Sequence, residues 1–231
     1  IHGHAHPAIR RAIADQAGRF DQVILADFTH GPAARLSAKL AQVMPGDLEH
    51  TFLSDNGSTA VEVALKMALQ AQQRRGCPER KRFVAFTGAY HGDTMGAMSV
   101  GERGVFNEPW WDLLFPVDTL PYDDLEALEK HLETHARTTA AVIMEPLIQG
   151  AAGMRFCRPE FVAGAAAVCR RHGVLLILDE VMTGWGHTGT LFACEQAGVV
   201  PDILCASKGI TGGTLPLGLT VCRPEIYQLF L

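Results

Sequence analysis

Six short, almost wholly apolar runs separated by longer segments constrain the fold of this 231-residue chain more than any other feature. They fall at residues 50–53, 82–86, 140–144, 174–178, 203–205 and 217–221. A strand with one solvated face alternates apolar and polar residues, whereas a run without alternation is buried on both faces. Helical spacing marks residues 32–44, 58–75, 123–135 and 159–172, the second and fourth closed by Gly76 and Gly173. Strand and helix in this order predict an α/β fold, a mostly parallel sheet with helices on both faces. Ligands of such sheets sit beyond the carboxyl ends of the strands, so the chemistry is expected just after each run.

Composition narrows the class. Apolar residues make up 48% and charged residues 19%, enough material for one large buried core, which excludes a disordered chain. Lys and Arg total 20 against 25 Asp and Glu, and no basic block offers a footprint for nucleic acid. No uninterrupted apolar stretch is longer than residues 174–178, far short of the roughly 20 residues of a bilayer span, so no membrane role is expected. Cys77, Cys157, Cys169, Cys194, Cys205 and Cys222 form no C-x-x-C pair and read as reduced thiols of a cytoplasmic protein.

Four segments after the runs carry chemistry. Ser54-Asp-Asn-Gly-Ser-Thr-Ala60 places Gly57, expected at an unusual backbone angle, and Ser58 at the opening of a long helix. Free N–H groups, the helix dipole and a hydroxyl suit a phosphate there, although an ordinary N-cap has the same pattern. Gly88-Ala-Tyr-His-Gly-Asp-Thr94 sets Tyr90 and His91 in a loop expected to be too short to bury them. Tyr90 is suited either to stack on a planar ring or to tie down the loop. Asp179 and Glu180 end the fourth run, where burial would need a partner or else the pair forms a surface turn. Lys208 follows the fifth run beside a glycine-rich loop. A lone lysine there is ordinarily solvated, but an amine that forms a Schiff base and a carboxylate at the neighbouring strand mouth are what pyridoxal phosphate chemistry requires.

Other patterns compete less well. Gly184-Trp-Gly-His-Thr-Gly189 spells the dinucleotide fingerprint, but it starts five residues after Asp179 and lacks an acid at the end of the next strand. His2, His4 and His6 alternate like a metal-binding tract, but Pro7 and the helical pattern behind it indicate an ordinary helix start, so no metal is expected. Ser58 and Ser207 lack the G-x-S-x-G elbow of a serine hydrolase.

Taken together, Asn56-Gly57-Ser58, Tyr90-His91-Gly92, Glu145-Pro146, Asp179-Glu180-Val181 and Ser207-Lys208-Gly209 resemble, in order and spacing, the class III (ω-type) aminotransferases of the fold type I pyridoxal phosphate enzymes. The likeness runs from about His2 to Leu231. It is greatest to the branch serving biotin synthesis, through residues 57–68, 92–100 and 191–195, and through Met182 where many relatives carry glutamine. That resemblance implies transfer of an amino group from S-adenosylmethionine to 8-amino-7-oxononanoate by a homodimer. The alternative is another ω-aminotransferase using a diamine or ω-amino acid donor. A decarboxylase, racemase or aminomutase sharing the lysine and aspartate, or a catalytically silent dimerisation domain, are more distant readings.

Residue by residue, the resemblance implies that Lys208 holds pyridoxal 5′-phosphate and then moves the substrate proton. Asp179 pairs with the pyridine nitrogen, and Gly57 and Ser58 hold the phosphate. Tyr90 covers the ring and borders the substrate, Val181 supports the opposite face, and Glu145 orders the site. His187 departs from the usual arginine, and an imidazole does not reproduce a guanidinium fork. The resemblance also implies sequence beyond both ends: substrate-pocket aromatics in front, and a small C-terminal domain with a carboxylate-binding arginine behind. Residues 1–30 are then a helical lead-in and 31–231 an incomplete large domain, expected to be poorly active alone.

Overall fold

A computed structural model describes residues 1–231. Nine strands occur: β1 (His50–Ser54), β2 (Arg82–Phe86), β3 (Asp118–Leu120), β4 (Thr139–Met144), β5 (Ile148–Gln149), β6 (Arg155–Phe156), β7 (Leu175–Asp179), β8 (Ile203–Ala206) and β9 (Gly218–Cys222). The helices are α1 (Pro7–Ala17), α2 (Gly31–Val43), α3 (Gly57–Arg74), α4 (Met95–Ser99), α5 (Leu125–His135), α6 (Pro159–His172) and α7 (Pro224–Tyr227). Seven strands form one sheet in the order β1-β9-β8-β7-β4-β2-β3, while β5 and β6 pair separately as a small antiparallel hairpin. No helix is long and apolar enough to cross a membrane.

The expected α/β architecture is present. Successive residues of the central strands enter two separate cores, which is why the runs show no polar alternation. Val84, Phe86, Val142, Met144, Leu176 and Leu178 pack with residues of α2, α5 and α6. Phe83, Ala85, Ala141, Ile143, Leu175 and Ile177 pack with α3 on the other face. Each large side chain so buried contributes about 1.5–3 kcal/mol of transfer free energy.

Helix α3 approaches the sheet closely because Ala60, Ala64, Ala68 and Ala71 face it, all with no exposed surface. Two polar clamps fix its position. The Thr220 hydroxyl donates to the Ala60 carbonyl at 2.7 Å. At the far end, Gln72 Nε2 donates to the carbonyl of Ala140 at 3.0 Å and of Gly173 at 3.3 Å.

Three features differ from the sequence expectation. Strand β9 runs antiparallel to both β1 and β8, so its first residues, not its last, lie at the mouth of the sheet. Strand β3 and the β5–β6 hairpin are three and two residues long, too short to show a period. Strand β2 pairs with both β3 and β4, so the short β3 forms the far edge of the sheet beyond the expected runs. The Pro7 start is as read: α1 begins there, though none of its residues is buried.

Candidate active site

The carboxyl ends of β1, β2, β4, β7 and β8, with the start of β9, surround a cavity of about 640 Å³. Gly57, Ser58, Tyr90, Asp179, Val181 and Lys208 all line it, as do His91, Gly92 and Glu145. Residues from five chain segments that are distant in sequence therefore meet where an open α/β sheet binds its ligands.

One end is an anion cradle. Asn56 caps α3 reciprocally with Thr59: its side chain accepts the Thr59 N–H at 3.0 Å, and the Thr59 hydroxyl accepts the Asn56 N–H at 3.0 Å. The Gly57 and Ser58 amides occupy the first helical positions, which have no intrahelical acceptor, and they point with the positive end of the helix dipole. The expected unusual backbone angle at Gly57 is absent. Its small size is needed for another reason: a Cβ there would stand 2.7 Å from Val181 Cγ1. Gly92 is the residue with special geometry, at φ +121° and with a Cβ position 2.8 Å from Ser58 Cα. The Ser58 hydroxyl accepts the Asp93 N–H at 3.1 Å, joining the two loops.

The base of the cavity is acidic. Asp179 is 4% exposed, and its two oxygens accept from His91 Nδ1 at 2.7 Å and from the Val181 N–H at 3.0 Å. His91 is buried, contrary to the expectation from its short loop, because the glycine at 92 lets the chain turn inward beneath Tyr90. Glu145 accepts the N–H of Tyr90 and of Gly150, both at 3.1 Å, so it ties the β2 loop to the β5–β6 hairpin. Burial pushes its carboxyl above the ordinary carboxylate value, against the lowering influence of His91.

Tyr90 stands at the cavity mouth, and its hydroxyl donates to Asp93 Oδ2 at 2.8 Å. Desolvation and then that carboxylate push the phenol up to about 12, so it is a neutral ring at physiological pH. Lys208 is exposed to the cavity and sits at φ +44° in a short 3-10 turn, an uncommon angle for a residue with a side chain. Ser207 fixes the strand end behind it by donating to the Leu217 carbonyl at 2.7 Å.

Several site features escape the sequence reading. The β5–β6 loop contributes Gly150, Ala151 and Met154, and the approach to β9 contributes Leu215, Pro216 and Leu217. Glu180 does not reach the cavity. It is fully buried and accepts from the Thr183 hydroxyl and from the N–H of Ala193 and Cys194 at 3.0 and 2.8 Å, holding the following turn. His187 lies outside the cavity lining, bonded through Nδ1 to the Gly184 carbonyl at 3.0 Å. No group of His, Cys, Asp and Glu side chains is arranged to hold a metal, and all six cysteines are free.

A phosphate cradle too tight for side chains at 57 and 92, a buried carboxylate held from two sides, and an exposed amine on a strained turn all fit pyridoxal phosphate. Fold and site together define a pyridoxal phosphate enzyme built on an open α/β sheet.

The chain belongs to the class-III aminotransferases, whose family model matches residues 1–231. It is 52% identical over its whole length to the adenosylmethionine-8-amino-7-oxononanoate aminotransferase of Synechococcus elongatus, covering 57% of that protein. The solved structure of the enzyme of that name from Methanocaldococcus jannaschii superposes with a TM-score of 0.94 at 39% identity, over 99% of this chain and 54% of the other. A PLP-bound amine transaminase from an uncultivated Pseudomonas species superposes at 0.87 with 35% identity, over 98% of this chain and 56% of that one. The chain thus spans about half the length of the relatives it matches.

Proposed function

We propose that the protein containing this chain transfers an amino group from S-adenosylmethionine to 8-amino-7-oxononanoate, giving 7,8-diaminononanoate for biotin synthesis, as a cytoplasmic homodimer. The observation that carries the chemistry is the convergence of Lys208 and Asp179 on one cavity with the open N-terminus of α3. The choice of substrates is supported by relatives 36–52% identical that bear the name of that enzyme. Residues 1–30 are proposed as a lead-in, and 31–231 as the large domain of the longer protein.

When bound, pyridoxal phosphate supplies an electron sink for the carbanion left when a substrate loses its proton. The chain supplies the rest. Gly57 and Ser58 would bind the phosphate through their amides, neutralising it with the helix dipole. Asp179 would keep a proton on the pyridine nitrogen, and His91 holds that carboxylate in place. Tyr90 and Val181 would enclose the ring from opposite sides. Lys208 Nζ would hold the cofactor and, once displaced by the amine donor, take and return the substrate proton at the reacting carbon.

An amino-donor panel on the full-length protein, with keto-acid consumption as the readout, tests this reading. Turnover with S-adenosylmethionine supports it. Turnover with a diamine or ω-amino acid and none with S-adenosylmethionine assigns the protein to another ω-aminotransferase activity.

A further inference from the structure

We propose that Trp185 is the positioning residue of Lys208, acting through Gly209. The inference rests on Lys208 as the amine that holds the cofactor, and concerns how its strained backbone is maintained.

The two segments meet with no space between them. A Cβ built on Gly209 would stand 2.6 Å from Trp185 Cβ, 2.7 Å from Cδ1 and 2.8 Å from Cγ, so Trp185 lies directly on the backbone that follows Lys208. Trp185, at the contact, and Lys208, the residue before Gly209, have positive φ of +65° and +44°, although both carry side chains. Angles of this kind persist only where the surroundings over-determine them.

Those surroundings are visible behind Trp185. Its ring meets Phe192 edge-on, with centroids 5.2 Å apart. Phe192 is fully buried, and the next two amides, of Ala193 and Cys194, are gripped by the buried Glu180 carboxylate. The dipeptide closing the β7 region thus divides its work: Asp179 faces the cavity, while Glu180, through Phe192 and Trp185, braces the turn carrying Lys208. On the other side, Ser207 is fixed to Leu217, and Gly212 and Gly213 donate back to the Gly209 and Lys208 carbonyls at 3.0 and 3.3 Å. The turn is held at both ends and pressed at Gly209. The indole N–H of Trp185 is buried without an acceptor, so the ring acts by contact and not by hydrogen bonding.

The experiment uses the full-length protein in its apo form and reads two quantities other than turnover. One is the rate at which pyridoxal phosphate becomes attached to Lys208, trapped with borohydride and quantified on the residue-208 peptide by mass. The other is the pH midpoint of the visible band of the loaded protein. Thermal melts run alongside. In Gly209→Ala the added methyl displaces the turn, and attachment slows by roughly tenfold to a hundredfold, the scale set by ångström misplacement of a reacting group. Trp185→Gly added to Gly209→Ala does not bring back the wild-type rate, because removing the opposing atoms also removes the brace. Trp185→Phe retains the wild-type rate and midpoint. Where Gly209→Ala fails to fold, Trp185→Gly alone decides: a slower attachment and a shifted midpoint support the brace.

Wild-type rates and midpoint in either Gly209→Ala or Trp185→Gly overturn the proposal. So does a folded double variant that regains the wild-type rate, since the turn would then hold without Trp185. A wild-type protein that never attaches the cofactor at Lys208 refutes the functional reading itself, a separate outcome from failure of the brace.

Discussion

His91 Nδ1 lies 2.7 Å from Asp179 Oδ2, with the imidazole wholly buried and the carboxylate 4% exposed. Desolvating a carboxylate is costly without a partner, so the aspartate and the histidine form one unit. His91→Ala is expected to destabilise the protein by about 2–5 kcal/mol, since it leaves one buried oxygen of Asp179 without its donor and opens a cavity. Urea unfolding of both proteins checks this, and a loss under about 1 kcal/mol would show that Asp179 stands without its neighbour.

The anion cradle depends on shape as well as charge. Gly92→Ala puts a methyl against the Ser58 backbone at φ +121°, so the Tyr90 loop or the start of α3 must move. The expected loss is at least ~1–3 kcal/mol in stability, with a fall in retention of pyridoxal phosphate on dialysis. Retention equal to wild type would place the phosphate elsewhere.

Helix α3 is pinned near its N-terminus, the proposed phosphate site, by Thr220, whose hydroxyl reaches the Ala60 carbonyl. Thr220→Val keeps the shape and removes one buried hydrogen bond. A cost of about 1 kcal/mol in chemical denaturation is expected, together with weaker phosphate binding, because Gly57 and Ser58 begin the same turn. Isothermal titration with the cofactor separates the two effects.

Glu145 gives the stability a pH dependence of known sign. Burial raises its folded value above the ordinary one, so the folded state holds this proton more tightly than the unfolded chain does. The stabilisation is fully present below the unfolded value of about 4.3 and is lost as pH rises through the folded value. Glu145→Gln stays neutral throughout and also disturbs one of the two accepted backbone bonds, a cost that does not change with pH. The difference in melting temperature, variant minus wild type, is therefore expected to rise with pH. A difference that falls with pH would mean the folded carboxyl is held below its ordinary value.

Much of this site is legible in the sequence because its residues follow strands whose burial on both faces leaves no polar alternation. Asp179 and Lys208 stand out as polar residues at the ends of apolar runs, and Gly57-Ser58 as the opening of a long helix. The inward turn of His91 is not legible: the pattern Tyr-His-Gly shows a loop, but only the packing shows which of the two rings points inward. Glu180 reads like Asp179 in sequence yet faces away from the cavity to grip two amides. The reversed direction of β9 leaves no trace in an apolar run, since such a run reads the same in both directions. The contributions of Met154 and Ala151 come from a hairpin with strands two residues long, below any detectable period.

We propose above all that Lys208, which shares its cavity with Asp179, holds pyridoxal phosphate. The most direct test is the absorbance spectrum of the full-length protein with pyridoxal phosphate, before and after Lys208→Ala. A visible band is expected in the wild type that survives dialysis, bleaches with the amine donor, and is absent in a Lys208→Ala protein that melts at the same temperature. An undiminished band in Lys208→Ala, or none in the wild type, would contradict the proposal.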